Sequence, residues 1–199
     1  YATRFGFTHW FPEVFQEFRV VSMFDLLKEY FDQGRIRVDR TRHPMLTTVH
    51  DPCNYVRKSQ QAFGEHYGET IRWLAAQVCP NLVEMIPDPL NNYCCGNGGG
   101  AQVMPYEEER LKHGRFKAEQ IKATGAELVI APCHNCQYQI AHFLPKHCDL
   151  GNFKASKYLW EVISDSLIYD PWSEAEIEAA RQARDEQFAH FGVELEEEI

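Results

Sequence analysis

Short apolar runs alternate with longer amphipathic stretches along most of this chain. Leu46–His50 and Leu128–Ala131 are apolar or β-branched runs that are followed closely by a proline, and they predict two buried strands. Leu82–Ile86 predicts another short strand, and Phe18–Met23, apolar and partly β-branched, predicts one ahead of these three.

The stretches between the predicted strands repeat their apolar residues at helical spacing. Helices are predicted over Phe24–Gly34 and Ile71–Val78, from about Tyr106 to Ala123, and from about Asn135 to Leu144. Strands that alternate with helices predict an α/β fold with a largely parallel sheet and flanking helices. In such sheets, ligands bind in the crevice outside the carboxyl ends of the strands.

The end of the chain differs from the rest in charge. Residues 171–199 hold nine acidic and two basic residues, whereas the remainder holds 20 acidic and 18 basic residues. Ser173-Glu-Ala-Glu176 is a capping box that predicts a helix to about Phe191, followed by an acidic tail. We therefore expect a cysteine-rich domain over residues 1–170 and a C-terminal acidic helix and tail over residues 171–199.

The composition is that of a globular domain. With 44% apolar and 25% charged residues in a length of 199, the chain is not of the disordered or collagen-like class. It has no apolar run of about 18 residues, so no transmembrane helix is predicted. The nearly neutral body lacks a clustered basic face, so nucleic acid is not an expected partner. Tyr1 stands where a Met would begin a protein, and no leader-like segment follows, which indicates a domain from within a longer chain.

Seven cysteines carry most of the chemical information. Their count is odd, and a disulfide between the adjacent Cys94 and Cys95 would be strained, so a secreted disulfide scaffold is disfavoured. A reducing compartment with metal-bound thiolates fits better. Five of the seven follow predicted strands: Cys53, Cys94, Cys95, Cys133 and Cys136. Of the other two, we expect Cys79 to be a small buried apolar residue and Cys148 to be incidental.

The number of thiols limits what they can hold. Cys133-x-x-Cys136, at a strand-to-helix junction, can chelate a metal or form a redox pair. A tetrahedral zinc or a regular cubane cluster needs four cysteines. The fifth therefore means either a spare ligand or a cluster of unusual shape in which one thiolate bridges irons. Zinc stays open as a substitute.

Glycines follow the adjacent cysteine pair. Gly96, Gly98 and Gly99 would allow the backbone to pass close to sulfides where a Cβ atom would clash. Backbone N–H groups and helix N-termini at these loops would stabilise negative charge on sulfur. A flexible loop is the alternative interpretation. The run lacks the pattern of a phosphate-binding loop, so phosphate is not an expected ligand.

These motifs together resemble a known family. Asp51-Pro52-Cys53, Cys94-Cys95-Gly96 and Pro132-Cys133-x-x-Cys136 occur in the order found in the CCG, or cysteine-rich, domain of heterodisulfide reductase subunits. The resemblance covers about residues 18–165. Within the family, the chain is most similar to the DsrK and HmcF type of subunit, from membrane-associated redox complexes of sulfur metabolism. Its N-terminal stretch departs from the family, which has a Cys-Gly-His-type element there.

The resemblance implies that the five motif cysteines bind one noncubane [4Fe-4S] cluster, at which a disulfide or heterodisulfide is cleaved. It implies electrons from ferredoxin-like clusters of other redox subunits, including a membrane quinone or cytochrome subunit, because this chain has no C-x₂-C-x₂-C-x₃-C-P run. The implied partner is a disulfide-bearing small thiol or a sulfur-carrier protein such as DsrC. The implied location is cytoplasmic, peripheral to the membrane through partner subunits.

Three further residues are candidates for the site. Arg57, four residues after Cys53, stands where the family commonly has an arginine, and it would either balance the cluster charge or lie in solvent. His134 and His50 flank ligand cysteines and would donate protons during disulfide cleavage or make structural hydrogen bonds. His134 is the stronger candidate because it lies inside the chelating loop.

The sequence therefore predicts an iron–sulfur oxidoreductase domain that reduces or forms a disulfide on a thiol or a sulfur-carrier protein. Two alternatives stay open. One is an electron-relay subunit of a dehydrogenase that feeds quinones. The other is a structural zinc module without chemistry, for which four cysteines suffice.

Overall fold

A computed structural model describes residues 1–87 and 89–192. The chain divides into two compact units, Tyr1–Ile168 and Tyr169–Ile199. The predicted acidic tail falls in residues 193–199, which lie outside the described residues. Among the helices that the structure describes, none has both the length and the apolar character needed to cross a membrane.

The first unit is built on a four-stranded parallel sheet. Its strands are β1 (Thr47–Val49), β2 (Leu82–Val83), β3 (Leu128–Ile130) and β4 (Ala155–Lys157), in the order β2-β1-β3-β4. Val49 pairs with Ile130, which pairs with Lys157. The α/β fold with a parallel sheet, predicted from the alternation of apolar runs and helical stretches, is confirmed.

The strand order places a crevice between the two central strands. From β1 the chain crosses to β2 on one side, and from β3 it crosses to β4 on the other side. The loops that leave the carboxyl ends of β1 and β3 therefore run in opposite directions. Such a switch point is where open parallel sheets bind their ligands.

Helices cover the sheet and are short for the most part. Those of the first unit are α1 (Ala2–Trp10), α2 (Val14–Glu17), α3 (Met23–Asp32), α4 (Arg57–Phe63), α5 (Gly68–Val78), α6 (Glu107–Thr124), α7 (His134–Tyr138), α8 (Leu144–His147) and α9 (Leu159–Ser166). A π-helical turn, Gln139–Phe143, joins α7 to α8. In the second unit, the capping box at Ser173 begins α10 (Glu174–His190).

The sheet separates two apolar layers. Leu128 and Ile130 belong to the layer that contains residues of α3, α5 and α9. Val129 and Ala131, on the other face of the same chain segment, belong to the layer that contains residues of α6, the π-helical turn and α8. A strand buried on both faces has a continuous apolar sequence, which is why the pattern of Leu128–Ala131 identifies it clearly.

One predicted strand is wrong. No strand forms over Phe18–Met23. Ser22 begins a helix instead, because its hydroxyl oxygen accepts a hydrogen bond from the Asp25 N–H at 3.0 Å. Phe18 and Val20 remain exposed and outside the sheet. The apolar composition of this segment does not reflect strand pairing.

Candidate metal centre

Two of the cysteine loops leave the central strands at the crevice. Pro52 and Pro132 follow β1 and β3 and end their ladders, because proline has no N–H to donate. Cys53 comes next after β1, and Cys133 after β3 is the N-cap residue of α7. The third loop, with Cys94 and Cys95, follows the edge strand β2 and precedes α6.

The structure brings all five predicted ligand cysteines together. Sγ of Cys95 lies 3.2 Å from Sγ of Cys136. Cys53 and Cys94, Cys94 and Cys95, and Cys136 and Cys133 are neighbours whose thiols shift each other's pKa. The five thiols thus form one continuous chain from Cys53 to Cys133. Cys95 and Cys136 in its middle are buried, whereas Cys94 is exposed.

Neighbouring donors stabilise negative charge on particular sulfurs. Hydrogen bonds from the Cys136 thiol and from the backbone N–H groups of Cys136 and Asn135 lower the pKa of Cys133 to about 6. Hydrogen bonds from Cys136 and Cys94, and from the Asn97 N–H, lower the pKa of Cys95. A lowered pKa favours the thiolate form of Cys133 and Cys95, and the thiolate is the form that binds metal.

Two cations face the thiols and share a partner. Nη2 of Arg57 donates to Sγ of Cys53 at 2.9 Å, and Nη1 donates to the Asn92 carbonyl. Nζ of Lys117, which is fully buried, donates to the side-chain oxygen of the same Asn92. Asn92 is itself held by the Asp51 carbonyl, which accepts from its amide at 3.0 Å. Arg57 therefore lies against Cys53 and Asn92 rather than extending into solvent.

The sequence reasoning missed Lys117. A signal was present, since Gly114, Ala118 and Ile121 are small or apolar residues spaced three to four apart in α6 and are all buried. Lys117 lies on the same helical face, three residues after Gly114 and four before Ile121. A lysine on a buried face beside a thiol-rich loop indicates a counter-charge.

The two candidate histidines occupy different surroundings. His50 is fully buried, and neither of its ring nitrogens has a hydrogen-bond partner among the described residues. Burial lowers its pKa well below the ordinary value. His134 lies at the rim, where its Nδ1 is 2.6 Å from the Tyr158 hydroxyl and its ring stacks on the Tyr158 ring.

The glycines of the third loop differ in what they do. Gly96 has a φ of 89°, and a Cβ atom there would lie 2.4 Å from the Arg110 carbonyl oxygen of α6. Its N–H points at Sγ of Cys94, 3.3 Å away. At Gly98 and Gly99, a Cβ atom would meet no described atom within 4 Å. Close packing against α6 is therefore the requirement at Gly96.

The two remaining cysteines lie apart from this chain of thiols. Cys79 is buried in the apolar layer with α3, α5 and α9, and burial raises its pKa to about 11. Cys148 is half-buried and packs against the other layer. Their thiols serve as matched controls for the five.

The donor set fits an iron–sulfur cluster. Five thiols from three loops, with backbone N–H groups and the Arg57 guanidinium directed at them and the Lys117 ammonium within electrostatic reach, form a site suited to a negatively charged group of several metal ions. A single tetrahedral ion would leave at least one thiol unused. The fold and the site together define a parallel α/β domain with a five-thiol candidate metal site at its switch point.

A family model matches the part of the chain that contains the site. Residues 47–141 match the family described as CCG, the cysteine-rich domain. The matched range begins at β1 and includes all five cysteines of the site.

Two curated proteins are similar over part of the chain. An uncharacterized iron-sulfur protein of Methanococcus maripaludis is 34% identical over 119 residues, which are 59% of this chain and 22% of that protein. One of the subunits of a fumarate reductase (CoM/CoB) from Methanothermobacter marburgensis is 26% identical over 152 residues, which are 75% of this chain and 28% of the relative. The chain thus spans about a quarter of each relative. No solved structure matches it. These similarities support an iron–sulfur redox role.

Proposed function

We propose that this chain is a domain of an oxidoreductase subunit in which Cys53, Cys94, Cys95, Cys133 and Cys136 hold a noncubane [4Fe-4S] cluster that reduces or forms a disulfide. The observation that carries this proposal is the continuous chain of five thiols from three loops. When bound, the cluster supplies one-electron transfer. The similarity to a reductase subunit supports a place among other redox subunits.

The proposed reaction takes electrons from partner redox subunits. Reduction breaks one S–S bond, takes up two electrons and two protons, and releases two thiols; disulfide formation is the reverse. The substrate class is a disulfide on a small thiol or on a sulfur-carrier protein of the DsrC type, and the subunit type is that of DsrK. A quinone or cytochrome subunit at the membrane would complete the electron path.

Residues at the exposed rim are placed to handle protons. The His134–Tyr158 pair lies next to Cys133, and both side chains belong to the rim. A histidine within reach of a leaving thiolate can give it a proton as a general acid. Arg57 at Cys53 would stabilise negative charge there during the same step.

A cavity lined in part by Tyr55 offers room for the rest of the substrate. It has a volume of about 600 Å³, and Tyr55, Phe24 and Trp160 are among the residues that line it. Burial, together with the charges of Cys133 and Cys136, raises the pKa of Tyr55 to about 12. Tyr55 thus lines the cavity and lies within electrostatic reach of two of the thiols, which supports this cavity as the substrate site.

The metal content of anaerobically prepared protein tests the proposal. We expect about four irons and four acid-labile sulfides per chain, and an EPR signal after mild oxidation that changes when a thiol or disulfide is added. Cys95→Ser should lose iron and sulfide, whereas the matched control Cys148→Ser should keep both. One zinc without sulfide would establish the structural zinc module instead. A cluster whose signal ignores every thiol and disulfide would favour the electron-relay role.

A further inference from the structure

His50 is fixed in the sheet at the carboxyl end of β1. Its backbone N–H donates to the Ile130 carbonyl of β3 at 2.8 Å, so the residue continues the central ladder by one step. Its side chain is fully buried. The position of the imidazole ring is therefore set by the two central strands, which are the most constrained part of the sheet.

The ring has polar atoms that nothing described satisfies. Nδ1 and Nε2 of His50 both lack a hydrogen-bond partner. A buried polar group without a partner destabilises the fold, because its lost hydrogen bonds to water are not replaced. Charged groups of Lys117, Asp51 and Arg57 act on the ring through space, yet none of them bonds to it. An imidazole in this position calls for a partner that is not a protein side chain.

The ring faces the buried middle of the thiol chain. One ring nitrogen of His50 and the Sγ atoms of Cys95 and Cys136 all lie within 4.8 Å of one another. Imidazole nitrogen and thiolate sulfur often bind the same metal ion. These three side chains come from the three different loops or strand ends that form the site, so only the folded domain brings them together.

We propose that His50 is a sixth protein group of the metal centre and that one of its ring nitrogens bonds directly to it, at the position shared by Cys95 and Cys136. The inference rests on the proposed function, since it needs a metal centre at the five thiols. It gives His50, rather than His134, the contact with the cluster.

Isotope labelling tests this on the unaltered chain. The protein is prepared with ¹⁵N-histidine and, separately, with natural nitrogen, and the EPR-active state of both is measured by pulsed hyperfine spectroscopy. We expect a nitrogen coupling that changes with the label. A strong coupling marks a metal ligand, and a weak one marks an N–H bonded to sulfur; both support contact. A signal without any histidine nitrogen coupling overturns the proposal.

Variants assign the coupling to one residue. His50→Gln should lose this nitrogen coupling, because the imidazole that carries the label is removed from the cluster. His43→Asn is the matched control: His43 is also buried and its Nε2 has no described hydrogen-bond partner, but it precedes β1, and its Nε2 lies 4.0 Å from the Asp165 carboxylate. Its removal should leave the coupling unchanged. Loss of the coupling in His134→Gln, with retention in His50→Gln, would contradict the assignment.

Iron and sulfide content separates this inference from the proposed function. A wild-type chain that takes up no iron and sulfide contradicts the proposed function, and the inference falls with it. A wild-type chain with a full cluster but no histidine coupling contradicts the inference alone. The labelling experiment needs no substitution, so a variant that fails to fold does not prevent a decision.

Discussion

Lys117 places a positive charge in a buried position where the metal-free fold stabilises it only weakly. Its ammonium group is fully buried, donates to Asn92 and Gln120, and lies 3.5 Å from the Met85 sulfur. Burial lowers its pKa to about 7, against the opposing attraction of Asp51 and the thiolates. A negatively charged cluster would strengthen that attraction. The residue is thus costly to the metal-free chain and favourable to the loaded one.

This balance predicts how the stability of the metal-free protein depends on pH. The pKa of Lys117 is about 7 in the folded chain and 10.5 in its ordinary state. Between these values the unfolded chain binds a proton that the folded chain does not. The free energy of unfolding should therefore rise with pH across this window, by up to about 1.4 kcal/mol per unit from this group. Below pH 7 both states bind the proton, and the contribution is constant.

Urea unfolding with a reductant and a chelator, repeated from pH 6 to pH 10, measures the effect. The cysteines also titrate in this range, so the relevant quantity is the difference between the wild type and Lys117→Met. The wild type should gain stability relative to the variant as the pH rises through the window. Parallel curves would show that Lys117 keeps an ordinary pKa in the folded chain.

At the scale of elements, the third loop depends on its contact with α6. Gly96 combines a positive φ with a gap too small for a methyl group beside the Arg110 carbonyl. Gly98, two residues later in the same loop, has no positive φ, and a Cβ atom there would meet no described atom within 4 Å. The two glycines therefore form a matched pair with opposite expectations.

We predict that Gly96→Ala destabilises the domain by about 1–3 kcal/mol, because the added methyl strains the backbone and displaces the loop from α6. It should also reduce iron retention, since Cys94 and Cys95 move with the loop. Gly98→Ala should be nearly neutral in both measurements. Thermal unfolding and iron analysis of the two variants side by side provide the check, and equal effects would contradict the role assigned to Gly96.

The strands that position the cysteines could be predicted from the sequence, and the reason is physical. Strands buried on both faces have continuous apolar sequences, and Pro52 and Pro132 mark their ends. Cys53 and Cys133 could therefore be assigned to strand ends, and parallel strands bring such ends to one edge. Phe18–Met23 was misassigned because an apolar run without a pairing partner has the same composition as a strand.

The sequence pattern does not predict the direction in which these side chains point. His50 and His134 both flank ligand cysteines in the chain, but only the pleat and the β1–β3 ladder decide which ring enters the crevice. To predict that Lys117 is buried, one would need to know which face of α6 packs inward. The many charged residues on its outward face obscure that pattern. Lys117 and Arg57 are brought together by Asn92, which accepts a hydrogen bond from each of them. Asn92 is a loop residue, and no sequence pattern marks it.

At the scale of the whole molecule, the chemistry is confined to one part of the chain. All five thiols, both apolar layers and the family match lie within Tyr1–Ile168. The second unit contributes α10, whose described residues are exposed or half-buried, and most of the excess negative charge. All the residues of the candidate metal centre thus belong to the first unit.

A chain ending at Ile168 should therefore keep the full iron and sulfide content, and its EPR signal should match that of the complete chain. The physical reason is that the ligands, their N–H donors and the two cations all belong to the first unit. Removing residues 169–199 also removes ten acidic and two basic residues, which should raise the isoelectric point without changing the cluster. Anaerobic metal analysis and thermal unfolding of the two chains make the comparison. If the shorter chain folds but loses iron, the C-terminal unit supports the metal centre, and the boundary assigned to the cysteine-rich domain is wrong.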